Sequence, residues 1–148
     1  MNDWAEWVWL NGQIVRGAEA VVSVFDRGFL LGDGLCETLR ATAGRLFRPE
    51  RHLARLQTGA ALLGLALPGD ADELLDALRE TLAANRLEEA VLRLTVSRGA
   101  GPGGLGTAGA GPPIAVIAAR PFIGYPEQWY DPGATAIISQ LIKNEQSC

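Results

Sequence analysis

Between Asp26 and Arg40 the chain reads Asp-Arg-Gly-Phe-Leu-Leu-Gly-Asp-Gly-Leu-Cys-Glu-Thr-Leu-Arg, and its glycines restrict the possible folds more than any other stretch. Gly28, Gly32 and Gly34 permit backbone conformations that a side chain forbids, so a loop ending at Gly34 can turn sharply and feed a strand over residues 35–41. Side chains alternate across a strand. Cys36, Thr38 and Arg40 therefore share one face, and Leu35, Glu37 and Leu39 share the other. The first face is small and polar and ends in a guanidinium, which suits a wall for an anionic small molecule.

The flanking sequence supplies further elements. Residues 7–15 read as two short strands about the Asn11-Gly12 turn, a strong hairpin signal. Residues 21–25 are a further strand candidate. Ala43-Gly44 turns the chain into Leu46-Phe47, a second hairpin. Pro49 suits a first helical turn, and Leu53, Leu56, Ala60 and Leu63 recur at helical spacing, which predicts a helix over residues 49–63 that ends at Gly64. Asp70, with Glu73 three residues on, forms a capping box for a helix that buries Leu74, Leu75, Leu78 and Leu82. Strands follow over residues 91–97, 114–119 and 134–141. Strands, then paired helices, then strands indicate an α+β fold with an antiparallel-rich sheet and two packed helices. The prolines and glycines of residues 122–132 have linker composition, so we expect one domain over 1–121 and the start of a second over 133–148.

Composition removes several classes of function. The 148 residues are 48% hydrophobic, enough for a core, and the formal net charge of −4 argues against nucleic acid as a partner. No apolar run approaches the roughly 20 residues that span a bilayer, and no charged-then-apolar leader opens the chain, so a cytoplasmic protein with no membrane partner is expected. Cys36 and Cys148 are expected to be free thiols. No metal-ligand pattern is present. Gly99, Gly101 and Gly104 match a dinucleotide-binding fingerprint, but more glycine and Pro112-Pro113 follow where that motif demands a helix; a flexible active-site loop explains them better.

The segment Asp26 to Arg40, followed by Arg48-Pro49-Glu50-Arg51-His52-Leu53-Ala54-Arg55-Leu56, resembles the N-terminal half of the class IV (fold type IV) pyridoxal-phosphate enzymes. That family holds branched-chain and D-amino-acid aminotransferases and 4-amino-4-deoxychorismate lyase. The resemblance runs from about Trp7 onward. It implies the family's small N-terminal domain, plus the first strand of an incomplete second domain, and pyridoxal 5'-phosphate as cofactor. Amino-group transfer between an amino acid and a 2-oxo acid is then the expected reaction. Pyruvate release from aminodeoxychorismate and a non-catalytic truncated fragment are the alternatives. A homodimer is also implied for the full-length protein.

Residue by residue, the resemblance makes Arg55 the ligand of the cofactor phosphate. On spacing alone it reads as a solvated or salt-bridged helix residue. His52, one helical turn away, reads as structural, holding the helix against the strand. Cys36, Thr38 and Arg40 are implied to line the substrate side of the cofactor; a surface pair at the strand end is the other reading for Arg40. Ser97-Arg98-Gly99-Ala100-Gly101 resembles the family's loop over the substrate, although the cation that commonly follows there is absent. Pyridoxal chemistry needs a lysine. Asn144-Glu145-Gln146-Ser147 matches the start of the motif that precedes it, which places the Schiff-base lysine a few residues past Cys148. Lys143 is not expected to serve, no catalytic residue is expected within the chain, and the chain is expected to be inactive as it stands.

Overall fold

Asn11 and Gly12 take φ values of 46° and 94° and close a hairpin between β1 (Trp7–Leu10) and β2 (Gln13–Arg16), as the Asn-Gly pair predicts. The computed structural model describes residues 4–140. Within them the other strands are β3 (Gly34–Thr42), β4 (Arg45–Leu46), β5 (Ala90–Ser97) and β6 (Ile114–Pro121). All pairings between these strands are antiparallel, and the sheet order is β2-β1-β6-β5-β3-β4. Strands β5 and β6 extend slightly beyond the expected ranges.

The helices sit where local signals put them. Helix α2 (Pro49–Leu63) begins at Pro49 and ends on Gly64, whose φ of 56° lets its N–H reach back to the carbonyls of Ala60 and Ala61. Helix α3 (Ala71–Ala84) opens on the capping box: the Asp70 side chain accepts from the Glu73 amide at 2.9 Å, and the Glu73 carboxylate accepts from the Asp70 amide at 2.8 Å. Both helices pack on one sheet face. Leu39, Leu92, Leu94, Val96 and Ile117 from the sheet meet Leu53, Leu56, Leu74, Leu78 and Leu82 from the helices, all buried. Each such side chain contributes about 1.5–3 kcal/mol by leaving water. Leu75 is only half-buried, at the margin of the stripe.

Three expectations need correction. Residues 21–25 form no strand; Val21, Val24 and Phe25 are exposed, and the nearest pairing is a single bridge between Asp26 and Ala100. A β-branched run favours extended backbone, but a strand also needs a partner. The glycine-rich loop is instead broken by a short helix α1 (Arg27–Leu31), N-capped by the Asp26 side chain and ended by Gly32 at φ 69°. Gly34 is glycine for a different reason: a Cβ there would lie 2.5 Å from the Val96 carbonyl oxygen. Residues 134–140 adopt no strand and are exposed; residue 141 onward, with Lys143, the Asn144–Ser147 motif and Cys148, lies outside the described residues.

Candidate functional site

Two acidic residues of the opening segment tie it to the Ser97-Arg98 end of β5. Asp26, 1% exposed, caps α1 through the amides of Gly28 and Phe29 and accepts from the Ser97 hydroxyl at 2.7 Å. Asp33 accepts from Arg27 Nε at 2.8 Å and from Arg98 Nε at 2.9 Å. Arg98 then donates to the carbonyls of Leu63 and Gly64, both at 2.9 Å, placing a cation at the C-terminus of α2. Buried Arg27 donates to the carbonyls of Gly104 and Leu105, so it holds the glycine-rich loop. The Arg98 hydrogen bonds, with those of Arg27, hold the Asp33 carboxyl below its ordinary value despite the opposing effect of burial. The Asp-Arg-Gly and Ser-Arg-Gly signatures are thus two halves of one framework.

The sheet face away from the helices is the one the alternation of β3 predicts. Cross-strand register puts Cys36 beside Thr95 and Val116, Thr38 beside Arg93 and Ala118, and Arg40 beside Val91 and Arg120. A cavity of about 400 Å³ opens on this face, lined by Cys36, Arg93, Thr95 and Val116 on the strands and by Gly28, Phe29 and Gly32 around α1. Cys36 is an exposed free thiol. Arg93 has no ion-pair partner among the described residues, and no local motif marks it for a site, because only the β3–β5 register sets its side chain beside Thr38.

Arg40 is more constrained than its neighbours. Its guanidinium pairs with Glu89, donates to the carbonyls of Ala41 at 2.5 Å and Ala90 at 3.1 Å, and lies 3.7 Å over the Phe122 ring. Glu89 also accepts from the Ala43 amide at 3.0 Å; that bond, then Arg40, holds its pKa below the ordinary value. The structure brings Cys36, Thr38 and Arg40 onto one face, with Arg40 anchored at its far end.

Arg55 stands on the other side of β3. Its Nε and Nη2 donate to Glu37 Oε1 and Oε2 at 2.7 and 2.5 Å, and His52 Nδ1 lies 2.7 Å from Oε2. His52 therefore joins α2 to β3. Burial raises the Glu37 pKa, but the Arg55 and His52 hydrogen bonds outweigh it and hold the carboxylate below its ordinary value; Glu37 in turn raises Arg55. A cleft of about 270 Å³ lined by Phe47, Arg48, Arg51, His52 and Arg55 opens here. Beyond Ala41, β4 ends, so the outer edge of β3 from Gly34 to Leu39 has no partner strand among the described residues. Arg55 and Thr38 lie on opposite faces of that edge.

No group of His, Cys, Asp and Glu able to hold a metal ion occurs among the described residues, and no helix among them is long and apolar enough to cross a membrane. Comparison with known proteins gives a consistent result. The family described as amino-transferase class IV matches residues 34–147. A putative branched-chain-amino-acid aminotransferase of Methanocaldococcus jannaschii is 40% identical over 114 residues, covering 77% of this chain and 40% of that protein. Among solved structures, the branched-chain aminotransferase of the archaeon Thermoproteus uzoniensis, solved with norvaline, superposes with a TM-score of 0.72 at 32% identity, covering 80% of this chain and 41% of that one. The 4-amino-4-deoxychorismate lyase of Pseudomonas aeruginosa gives 0.69 at 37% identity, covering 85% and 44%. The chain thus spans about two fifths of the length of these relatives. With the family match extending over most of its length and the antiparallel sheet and paired helices superposing on solved members, this chain belongs to the class IV aminotransferases.

Proposed function

We propose that this chain is the N-terminal part of a pyridoxal-phosphate-dependent aminotransferase that moves an amino group between an amino acid and a 2-oxo acid. The observation that carries the reading is the unpaired outer edge of β3, flanked by Arg55 on one face and by Cys36 and Thr38 on the other. A flat, phosphate-bearing ring along this edge would meet a cation at one end and a small polar wall at the other. The residues fit such a group in part: Arg55 Nη1 has no partner among the described residues, and Arg48 and Arg51 line the same cleft. When bound, pyridoxal phosphate would supply the electron sink for ionising the amino-acid Cα–H bond.

The chain's own residues would bind and orient. Arg55 would hold a phosphate oxygen, Cys36 and Thr38 would bound the reacting face, and Arg93 would receive a substrate carboxylate. Arg40 is already held by Glu89 and by the Ala41 and Ala90 carbonyls, so in this reading it closes the wall. Residues 122–132 act as the linker to a second domain begun at residue 133, and two copies of the whole protein form a dimer. The exposed apolar run of Val21, Val22, Val24, Phe25, Phe29, Leu30 and Leu31 supports that pairing.

The test is to incubate the full-length protein of which residues 1–148 are the N-terminal part with pyridoxal phosphate, an amino acid and a 2-oxo acid, following conversion of the acceptor. Transamination supports the reading. Pyruvate released from aminodeoxychorismate with no acceptor would instead establish the lyase, which the 37% identity to the Pseudomonas aeruginosa enzyme favours as second reading. The absence of both reactions overturns both and leaves the non-catalytic fragment. Borohydride reduction followed by peptide mapping locates the lysine that carries the cofactor; a label on Lys143 would overturn its placement beyond Cys148.

A further inference from the structure

Glu37 is out of place by the rules of its own face. On β3 it points to the helix-covered side, where Leu35 and Leu39 are its neighbours along the strand, and its side chain is 3% exposed. A carboxylate there loses water that a hydrocarbon would not miss, and its partner Arg55 is 71% exposed, so the pair is too solvated for stability alone to account for a carboxylate at this position. Its geometry supplies another reason. Both oxygens are occupied, Oε1 by Arg55 Nε and Oε2 by Arg55 Nη2 and His52 Nδ1. With Glu37 ionised, Nδ1 is the protonated nitrogen of His52, so the imidazole seats the carboxylate while the carboxylate seats the arginine.

Arg55 itself is 71% exposed along its side chain. A long side chain so exposed samples many rotamers, and an anion that captures it must first order it. Here the Nε and Nη2 edge is fixed from below by a buried group, leaving Nη1 unpaired among the described residues beside the cleft of Arg48 and Arg51. The geometry points to Glu37 as the positioning residue that holds Arg55 ready for a phosphate group, with His52 orienting Glu37. This rests on the reading of Arg55 as the phosphate ligand. It predicts an effect opposite to simple charge balance, in which removing a nearby carboxylate would strengthen anion binding.

The probe is inorganic phosphate titrated against the 148-residue chain and followed by phosphorus NMR, with thermal unfolding as the check on folding. Arg55→Met abolishes saturable binding. Glu37→Met removes the buried carboxylate and leaves the half-buried His52 Nδ1–H without its acceptor; in a variant that still melts cooperatively it weakens phosphate about tenfold, the scale at which supporting hydrogen-bond partners act. Glu37→Gln retains one acceptor and falls between. In the free wild-type chain the Arg55 Nε–H shows a positive heteronuclear NOE, as an ordered group does; this reading needs no variant. Unchanged or tighter binding by Glu37→Met, or a mobile Arg55 Nε in the free wild type, overturns the positioning role while Arg55 keeps its own. Binding that survives Arg55→Met overturns the phosphate reading beneath it.

Discussion

Asp33 shows how much a single residue can hold. Its carboxylate joins two guanidinium groups that are themselves largely buried, one capping α2 and one gripping the glycine-rich loop. Removing one partner from such a cluster leaves charge without compensation, so Asp33→Ala should cost about 3 kcal/mol or more, read by urea denaturation. A loss under about 1 kcal/mol would mean the network is ordinary surface pairing. Ala43 offers the opposite change. It sits at φ 48° in the β3–β4 turn, a conformation costing an L side chain about 1–2 kcal/mol. Ala43→Gly should therefore raise stability by up to about 1 kcal/mol, measured the same way, since its amide bond to Glu89 survives. Neither effect was legible in the sequence. Asp33 and Arg98 are 65 positions apart, and although the Ala43-Gly44 pair marks a turn, only the folded backbone shows that Ala43 enters it at positive φ along with Gly44.

At the scale of elements, local chemistry was a good guide wherever it was self-contained. Pro49 and Gly64 bound α2, and the Asp70–Glu73 box starts α3, because each signal satisfies backbone groups within a few residues. Residues 21–25 misled because strand propensity was present and a partner was absent. Gly34 combines both situations: the sequence marked it as special, but its reason is the approach of Val96 on β5. Gly34→Ala should cost about 1–3 kcal/mol by forcing β3 away from β5, with a matching loss of amide-exchange protection along that pair.

Across the whole molecule, two arginine-paired carboxylates shape the response to pH. Asp33 and Glu37 hold protons less readily in the folded chain than at their ordinary values of 3.8 and 4.5. The unfolded chain therefore binds more protons in acid, and stability rises with pH there. Their contribution is full above those ordinary values and disappears as pH falls beneath them through the lower folded values. Melting temperature against pH should show that acid limb, and Asp33→Asn should flatten it. The exposed apolar side chains between Val21 and Leu31 are where the proposed dimer is tested: Phe29→Glu together with Leu30→Glu should lower self-association in sedimentation velocity without lowering the melting temperature.

Local sequence dictates the hairpins, both long helices, the alternation that puts Cys36, Thr38 and Arg40 on one face, and the family resemblance that the comparisons establish. Those depend on neighbours a few residues apart, or on motifs whose order along the chain is itself the signal. Tertiary structure alone decided which charged groups are engaged. It gave Arg40 to Glu89 and Phe122, Arg98 to the end of α2, and Arg55 to Glu37, and it left Arg93 without an ion-pair partner among the described residues, beside Thr38. The reason is physical: a guanidinium's role follows from the oxygens within about 3 Å of its nitrogens, and chain folding draws those oxygens from distant positions.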